Sequence, residues 1–234
     1  MERERVHKTH ILVIPLAVQG HINPMLQFSK RIASKGLKVS FVTAFSNNEA
    51  KQNQAGSIRF EPISDGLEES DKIENMVQWF QNIASKRLPE LIVKQESNGC
   101  PVSCIVYDSA MPWVLDLAKR LGLPGASFFT HSCAVACIYY NLHHGSLRVP
   151  LEEPQVSLAG LPPLKAHDLP SFICDPGSYP SFLKLVISRF SNVSKADWIF
   201  FSSFDALEKE VLHELSITLD TLEHCAYMHE IVAI

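Results

Sequence analysis

The stretch HILVIPLAVQGHINP, residues 10–24, decides how the start of this chain folds. Residues 10–16 are almost continuously apolar, which is typical of a parallel β-strand covered on both faces. Asn23 and Pro24 then predict the start of a helix, because asparagine caps helices and proline fits their first turn. His21 therefore lies between a buried strand and a helix. Open α/β folds bind ligands at the carboxyl ends of their strands, so we predict that His21 is a catalytic base.

Strand-like and helix-like segments alternate along most of the chain. Further strand patterns cover residues 38–43, 57–63, 103–107, 125–130 and 197–203, and helical patterns cover residues 72–95, 112–121 and 181–194. Asp205 and Glu208 resemble a capping box that opens a last helix, which a leucine stripe extends toward the end of the chain. This alternation predicts an α/β domain, with helices covering both faces of a parallel sheet.

Composition excludes several classes of partner. The chain has 234 residues, of which 46% are hydrophobic and 20% charged, as in an ordinary globular protein. Its net charge of −4 gives no electrostatic reason to bind nucleic acid or an anionic membrane. The first apolar run is only as long as one strand, so we expect no targeting segment and a cytoplasmic location. The six cysteines contain no Cys-x-x-Cys pair, so we predict buried thiols and no metal site.

Asp108 is the second residue that carries chemistry. It ends the strand pattern of residues 103–107, and the carboxyl ends of parallel strands share one edge of a sheet. A carboxylate that bonds one imidazole nitrogen fixes the tautomer and stabilises the cation formed when the other nitrogen takes a proton. We therefore predict that Asp108 pairs with His21. The alternative is that Asp108 caps the next helix, as aspartates at strand ends frequently do.

Four blocks of sequence carry a family resemblance. They are PLAVQGHINPMLQFSKRIASKG, IVYDSAMPWVLDLAKRLGLP, SFFTHSCAVACIYYN and DWIFFSSFDALE, in this order. Together they resemble the N-terminal half of plant UDP-dependent glycosyltransferases of small molecules, over about the first 216 residues. The resemblance implies the N-terminal, acceptor-binding, Rossmann-like domain of a GT-B fold. It also implies an inverting transfer of a sugar, expected to be glucose, from a UDP-sugar co-substrate, without a metal or cofactor.

The resemblance also implies roles for individual residues. His21 matches the family's base, which takes a proton from an acceptor hydroxyl or orients an acceptor carboxylate, and Asp108 matches its partner. Thr130 follows the fifth strand, where family members reach the donor sugar, and Gln19 matches a loop position that faces the donor. The implied acceptor is a phenol, a carboxylic acid or a terpenoid.

Four more residues are expected to line the acceptor pocket. His131 stands where relatives often carry glutamine, which predicts a different acceptor pocket. Met76, Ala110 and Phe182 are chosen from their predicted positions and not from a shared motif. Core packing is the alternative explanation for these three, and for His131 the alternative is a residue at a helix start.

Residues 217–234 depart from the family pattern. The family continues into a linker and a second domain that grips the UDP-sugar, whereas residues 217–234 form a divergent tail that is helical in pattern. We expect a truncated protein that transfers little or no sugar by itself. The alternative is a non-catalytic short form that binds small molecules or pairs with a full-length relative.

Overall fold

The computed structural model describes residues 9–45, 58–64, 73–151, 153–174, 177, 180–218 and 225–227. The chain divides into two compact units, one of residues 1–107 with 116–126 and one of residues 108–115 with 127–234. No helix in these described ranges is both long and apolar enough to cross a lipid bilayer.

The first unit is built on parallel strands. They are β1 (His10–Ile14), β2 (Lys38–Phe45), β3 (Ile58–Ser64) and β4 (Cys104–Asp108), in the spatial order β3-β2-β1-β4. In register, Val13 of β1 pairs with Phe41 of β2 on one side and with Val106 of β4 on the other. All three side chains are buried. Strands that are apolar on successive residues are typical of a parallel sheet, which confirms the predicted α/β class.

The helices that follow these strands are α1 (Gln19–Ser34), α2 (Ile73–Ser97) and α3 (Trp113–Arg120). Met25, Phe28 and Ile32 are buried along α1. Their spacing of three and four residues places them on one face, which is how an amphipathic helix packs on a core. The burial of this face fixes α1 against the first unit and so sets where its first turn lies.

The second unit contains β5 (Gly125–Phe129), β6 (Gln155–Val156), β7 (Leu164–Lys165), β8 (Trp198–Phe201) and β9 (Cys225–Tyr227). The main strands are ordered β5-β8-β9, β8 and β9 are parallel, and β6 and β7 form a small antiparallel pair. The helices are α4 (Cys133–His143), α5 (Ser171–Cys174), α6 (Pro180–Ser188) and α7 (Asp205–Thr218). Phe129 stacks on Phe201 with ring centroids 5.0 Å apart, which joins the cores of β5 and β8.

Two sequence predictions in the second unit are wrong. The helix predicted over residues 181–194 ends at Ser188, and a separate 3₁₀ turn covers Val193–Lys195. The helical tail is also wrong where it is described, because α7 ends at Thr218 and Cys225–Tyr227 is a strand. These three residues pair with β8, so tertiary pairing outweighs a local pattern that favours helix. The domain boundary at residue 216 remains a prediction.

His10 joins separate segments of the first unit. Its imidazole is fully buried, with Nδ1 2.9 Å from the Cys100 carbonyl oxygen and Nε2 2.9 Å from Ser40 Oγ. Burial lowers the pKa of His10 below its ordinary value, and the hydrogen bond to the Cys100 carbonyl opposes this shift only in part. The folded protein therefore resists protonation of His10.

We expect the free energy of unfolding to decrease as the pH falls below about 6.5, because the unfolded chain then binds a proton at His10 that the folded chain resists. The change His10→Gln should remove this part of the pH dependence. Urea midpoints measured between about pH 5 and 7.5 would show it. The exposed His213, changed to Gln, is the matched control. If His10→Gln followed the same pH profile as the unaltered protein, His10 would not be the titrating group.

Candidate functional site

His21 lies in the first turn of α1, because the helix begins at Gln19. The Val18 carbonyl oxygen accepts hydrogen bonds from the N–H of His21 at 2.8 Å and of Ile22 at 2.9 Å. The first turn of the helix is therefore formed before Asn23. The predicted start at Asn23 and Pro24 is wrong, and Pro24 lies inside α1. The side chain of His21 is half-buried.

Two other predicted site residues lie in the first unit. Gln19 is exposed, and its Nε2 donates a hydrogen bond to Asn23 Oδ1 at 2.7 Å, one turn further along α1. Its assignment to the donor sugar stays a prediction. Met76 belongs to α2, and its side chain lies outside the described part of the structure.

Asp108 and Ala110 form a tight turn in the second unit. Asp108 is fully buried at the end of β4, and its Oδ1 accepts a hydrogen bond from the Ala110 N–H at 2.9 Å. The N–H of Met111 donates to the Asp108 carbonyl oxygen, also at 2.9 Å. This bond closes a local turn ahead of α3, which begins at Trp113. A carboxylate has about four acceptor positions, so this turn uses only part of its capacity, and the pairing with His21 stays a prediction.

Thr130 and His131 lie in the segment that joins β5 to α4. Ser132 caps α4, since its Oγ accepts a hydrogen bond from the Val135 N–H at 3.3 Å. Thr130 and His131 are both half-buried. The His131 ring contacts Phe129 edge-on, with centroids 5.6 Å apart. The ordered helix start therefore holds His131 beside the core of the second unit.

A row of rings connects two of the predicted acceptor residues. His131 contacts Tyr139 with centroids 5.2 Å apart, Tyr139 contacts Phe172 at 5.8 Å, and Phe172 contacts Phe182 at 5.3 Å. We call these four residues the aromatic row. Tyr139 is buried, whereas the other three are half-buried. His131, Phe172 and Phe182 are therefore only partly covered by the rest of the protein.

Glu208 also stabilises the start of α4, although the sequence predicts that it caps the helix to which it belongs. Its carboxylate accepts hydrogen bonds from the N–H groups of Cys133 and Ala134, both at 2.9 Å, and from the Ser203 hydroxyl. The Glu208 carboxylate therefore caps α4, whereas the sequence predicts that it caps its own helix, which begins at Asp205 as predicted.

The environment of Glu208 keeps it ionised. Burial alone would raise the pKa of Glu208, but the hydrogen bonds from Ser203 and from the Ala134 and Cys133 amides outweigh it and hold this pKa below its ordinary value. A carboxylate at a helix N-terminus is further favoured by the helix dipole. The start of α4 is therefore fixed by a charged group from a distant part of the chain.

No group of three or more metal-binding side chains occurs in the ranges that the structure describes. Cys133 and Cys137, which share a face of α4, are both buried thiols. Burial raises the pKa of Cys137 to about 11, and the hydrogen bond from Asn141 offsets only part of this shift. Cys137 is therefore a protonated packing residue at neutral pH.

Comparison with known proteins finds relatives of one kind along most of the chain. The family model described as "Glycosyltransferase, N-terminal domain" matches residues 7–62. Mogroside I-E synthase of Siraitia grosvenorii is 42% identical over 210 residues, covering 87% of this chain and 46% of that protein. Indole-3-acetate beta-glucosyltransferase of Zea mays is 37% identical over 228 residues, covering 88% of this chain and 48% of that protein. The chain is homologous to the N-terminal half of plant UDP-glycosyltransferases.

Solved structures of such glycosyltransferases share the fold. Os79 from O. sativa, solved in complex with UDP, superposes with a TM-score of 0.75 and 26% identity, over 90% of this chain and 49% of Os79. The chain spans about half the length of the curated relatives that it matches. The Rossmann-like α/β fold inferred from the sequence, as the N-terminal domain of a GT-B glycosyltransferase, is thereby confirmed.

Proposed function

We propose that this chain is the acceptor-binding half of a UDP-dependent glycosyltransferase, which moves glucose from a UDP-sugar to a hydroxyl or carboxyl group of a small plant metabolite. The observation that carries this proposal is the 37% identity to a beta-glucosyltransferase along 88% of the chain. UDP-sugar is then the co-substrate, and Gln19 and Thr130 are the residues of this half that approach it.

His21 acts as the base in the proposed reaction. The acceptor hydroxyl gives its proton to the His21 imidazole while its oxygen forms a bond to the anomeric carbon of the sugar. The bond from that carbon to the diphosphate breaks on the opposite side, which inverts its configuration. Asp108 stabilises the imidazolium that results.

The aromatic row suits the acceptor side of this reaction. Half-buried rings of Phe172 and Phe182 present apolar surface, and His131 adds a polar edge. A phenol, an aromatic carboxylic acid or a terpenoid could pack against such a surface, since binding pockets are mostly apolar with a few polar groups. Ala110 and Met76 complete the proposed acceptor set.

We expect the 234-residue chain to transfer little or no sugar by itself, because most of the groups that hold the diphosphate in this family belong to the other half. The chain should become active when joined to the donor half of the Siraitia grosvenorii relative. Release of UDP from UDP-glucose in the presence of a phenolic acceptor measures this. The donor half alone is the control for background hydrolysis.

Robust turnover by the 234-residue chain alone would contradict the assignment as one half of an enzyme. If the joined protein failed to transfer while the relative's own two halves, joined in the same way, remained active, the glycosyltransferase assignment would be wrong. Calorimetry that then showed acceptor binding would favour the alternative, a short form that binds small molecules or pairs with a full-length relative.

A further inference from the structure

Arg189 is a buried cation that the proposed reaction does not use. It follows α6 directly and is only 5% exposed. Arginine is almost never buried to this extent unless it is paired, and it stays protonated in proteins. Among the residues that the structure describes, its Nε and Nη1 atoms have no hydrogen-bond partner. Buried donors are nearly always satisfied in folded proteins, so these two require an explanation.

The groups around Arg189 stabilise its charge without using these two donors. The guanidinium carbon lies 6.0 Å from the centroid of the Tyr139 ring, within the range of a cation–π interaction. Burial lowers the pKa of Arg189, and the charges of Asp108 and Tyr139 oppose this shift. Asp108 is therefore near enough to act on Arg189. The turn at Ala110 already occupies one oxygen of its carboxylate.

Tyr139 places Arg189 beside the aromatic row. It contacts both His131 and Phe172, and Phe172 leads on to Phe182. The second unit therefore combines half-buried ring surface with a cation whose Nε and Nη1 atoms have no hydrogen-bond partner in the described residues. A flat apolar ring with a carboxylate complements both features, since a guanidinium forms its strongest hydrogen bonds with carboxylate or phosphate.

We propose that Arg189 binds the carboxylate of an aromatic acid acceptor whose ring packs against the aromatic row. This inference rests on the proposed function, because it names the class of acceptor for that same site. It assigns Arg189 to recognition of the acceptor and leaves the transfer step to His21. A phosphate of UDP has similar chemistry, but the aromatic row beside Arg189 favours the acceptor as the source of the anion.

Calorimetry with the whole 234-residue chain tests the inference. The two probes are indole-3-acetate and indole-3-acetamide, which have nearly the same shape and differ in charge. We expect indole-3-acetate to bind at least about 10-fold more tightly, because hydrogen bonds to charged groups are the strong ones. The change Arg189→Met should remove this preference and leave the affinity for indole-3-acetamide unchanged, which also verifies that the variant is folded.

Two further variants separate charge from position. Arg189→Lys keeps the charge but loses the planar fork, so we expect it to keep part of the preference even if Arg189→Met does not fold. Lys184→Met removes an exposed positive charge from α6 and should bind both probes as the unaltered chain does. If Lys184→Met weakened indole-3-acetate binding as much as Arg189→Met, the effect would be one of general charge and the inference would fail.

The possible failures are distinguishable. Equal binding of the two indoles by the unaltered chain, or a preference that survives in Arg189→Met, would overturn the role of Arg189. Neither result would contradict the proposed function. If neither indole bound, acceptor binding by this chain would be wrong, and this inference with it. If UDP bound and lost affinity at least 10-fold in Arg189→Met, Arg189 would belong to the donor side, which also contradicts the inference.

Discussion

Changing His21 to Ala should lower sugar transfer to a hydroxyl acceptor by about 10²–10⁴-fold in the chain joined to a donor half, because that is the usual contribution of a positioned general base. The loss should fall on kcat, since a neutral hydroxyl loses its proton only as the new bond forms. Initial rates with a phenol and saturating UDP-glucose measure it. The neighbouring Gln27→Ala, an exposed position on α1, is the control for disturbance of the helix.

The same variant should behave differently with a carboxylic acid acceptor. A carboxyl group has a pKa of about 4 and is already ionised at neutral pH, so it has no proton for His21 to remove. The loss with indole-3-acetate should therefore be clearly smaller than the loss with a phenol. Equal losses for both acceptors would show that His21 positions the acceptor and does not act as a base.

Asp108→Asn provides the second arm of this test. Asparagine keeps an Oδ1 atom, so it can still accept the hydrogen bond from Ala110 that closes the turn. If Asp108 acts only through His21, the double variant that combines His21→Ala with Asp108→Asn should lose no more activity than His21→Ala alone. Additive losses would instead indicate that Asp108 has an independent role, such as stabilising the buried charge of Arg189.

The sequence predicts the order of the main strands and helices well, because most of these strands are short apolar runs and the helices have their own periodicity. The short strands β6, β7 and β9 have no such pattern. It fails at boundaries that depend on main-chain hydrogen bonds. Proline at position 24 suggested a helix start, but the Val18 carbonyl closes the first turn at His21. A proline inside a helix removes one N–H bond and crowds the carbonyl group four residues before it, and α1 accommodates it while burying Met25, Phe28 and Ile32.

The candidate site shows the same division. Asp108 lies at the carboxyl end of a buried strand, so local pattern is enough to predict it, whereas Thr130 and His131 are predicted from the family resemblance. Arg189 and Glu208 could not be assigned in this way, because their partners lie far away in the chain. The sequence predicts that Glu208 caps a helix, and it does so, but the N–H groups that it binds are 74 and 75 positions away in the chain.

Glu208→Ala should lower the free energy of unfolding by about 2–4 kcal/mol. The change leaves the N–H groups of Cys133 and Ala134 without their acceptor at 2.9 Å. Each buried donor left unsatisfied costs about 1–3 kcal/mol. Urea unfolding at pH 7 measures the loss. Glu210→Ala, an exposed glutamate on the same helix, should change stability by no more than about 0.5 kcal/mol.

The pH dependence of this effect identifies its cause. The pKa of Glu208 is lowered in the folded protein, so its contribution is complete above the unfolded pKa of about 4.3 and is lost as the pH falls through the folded value. The stability difference between the unaltered chain and Glu208→Gln should therefore shrink in acid. Hydrogen exchange adds a local measurement. In Glu208→Gln, the amides of Cys133 and Ala134 should lose protection from exchange before the other amides of α4 do. Unchanged protection at these two amides would mean that Glu208 does not hold the segment that carries Thr130 and His131.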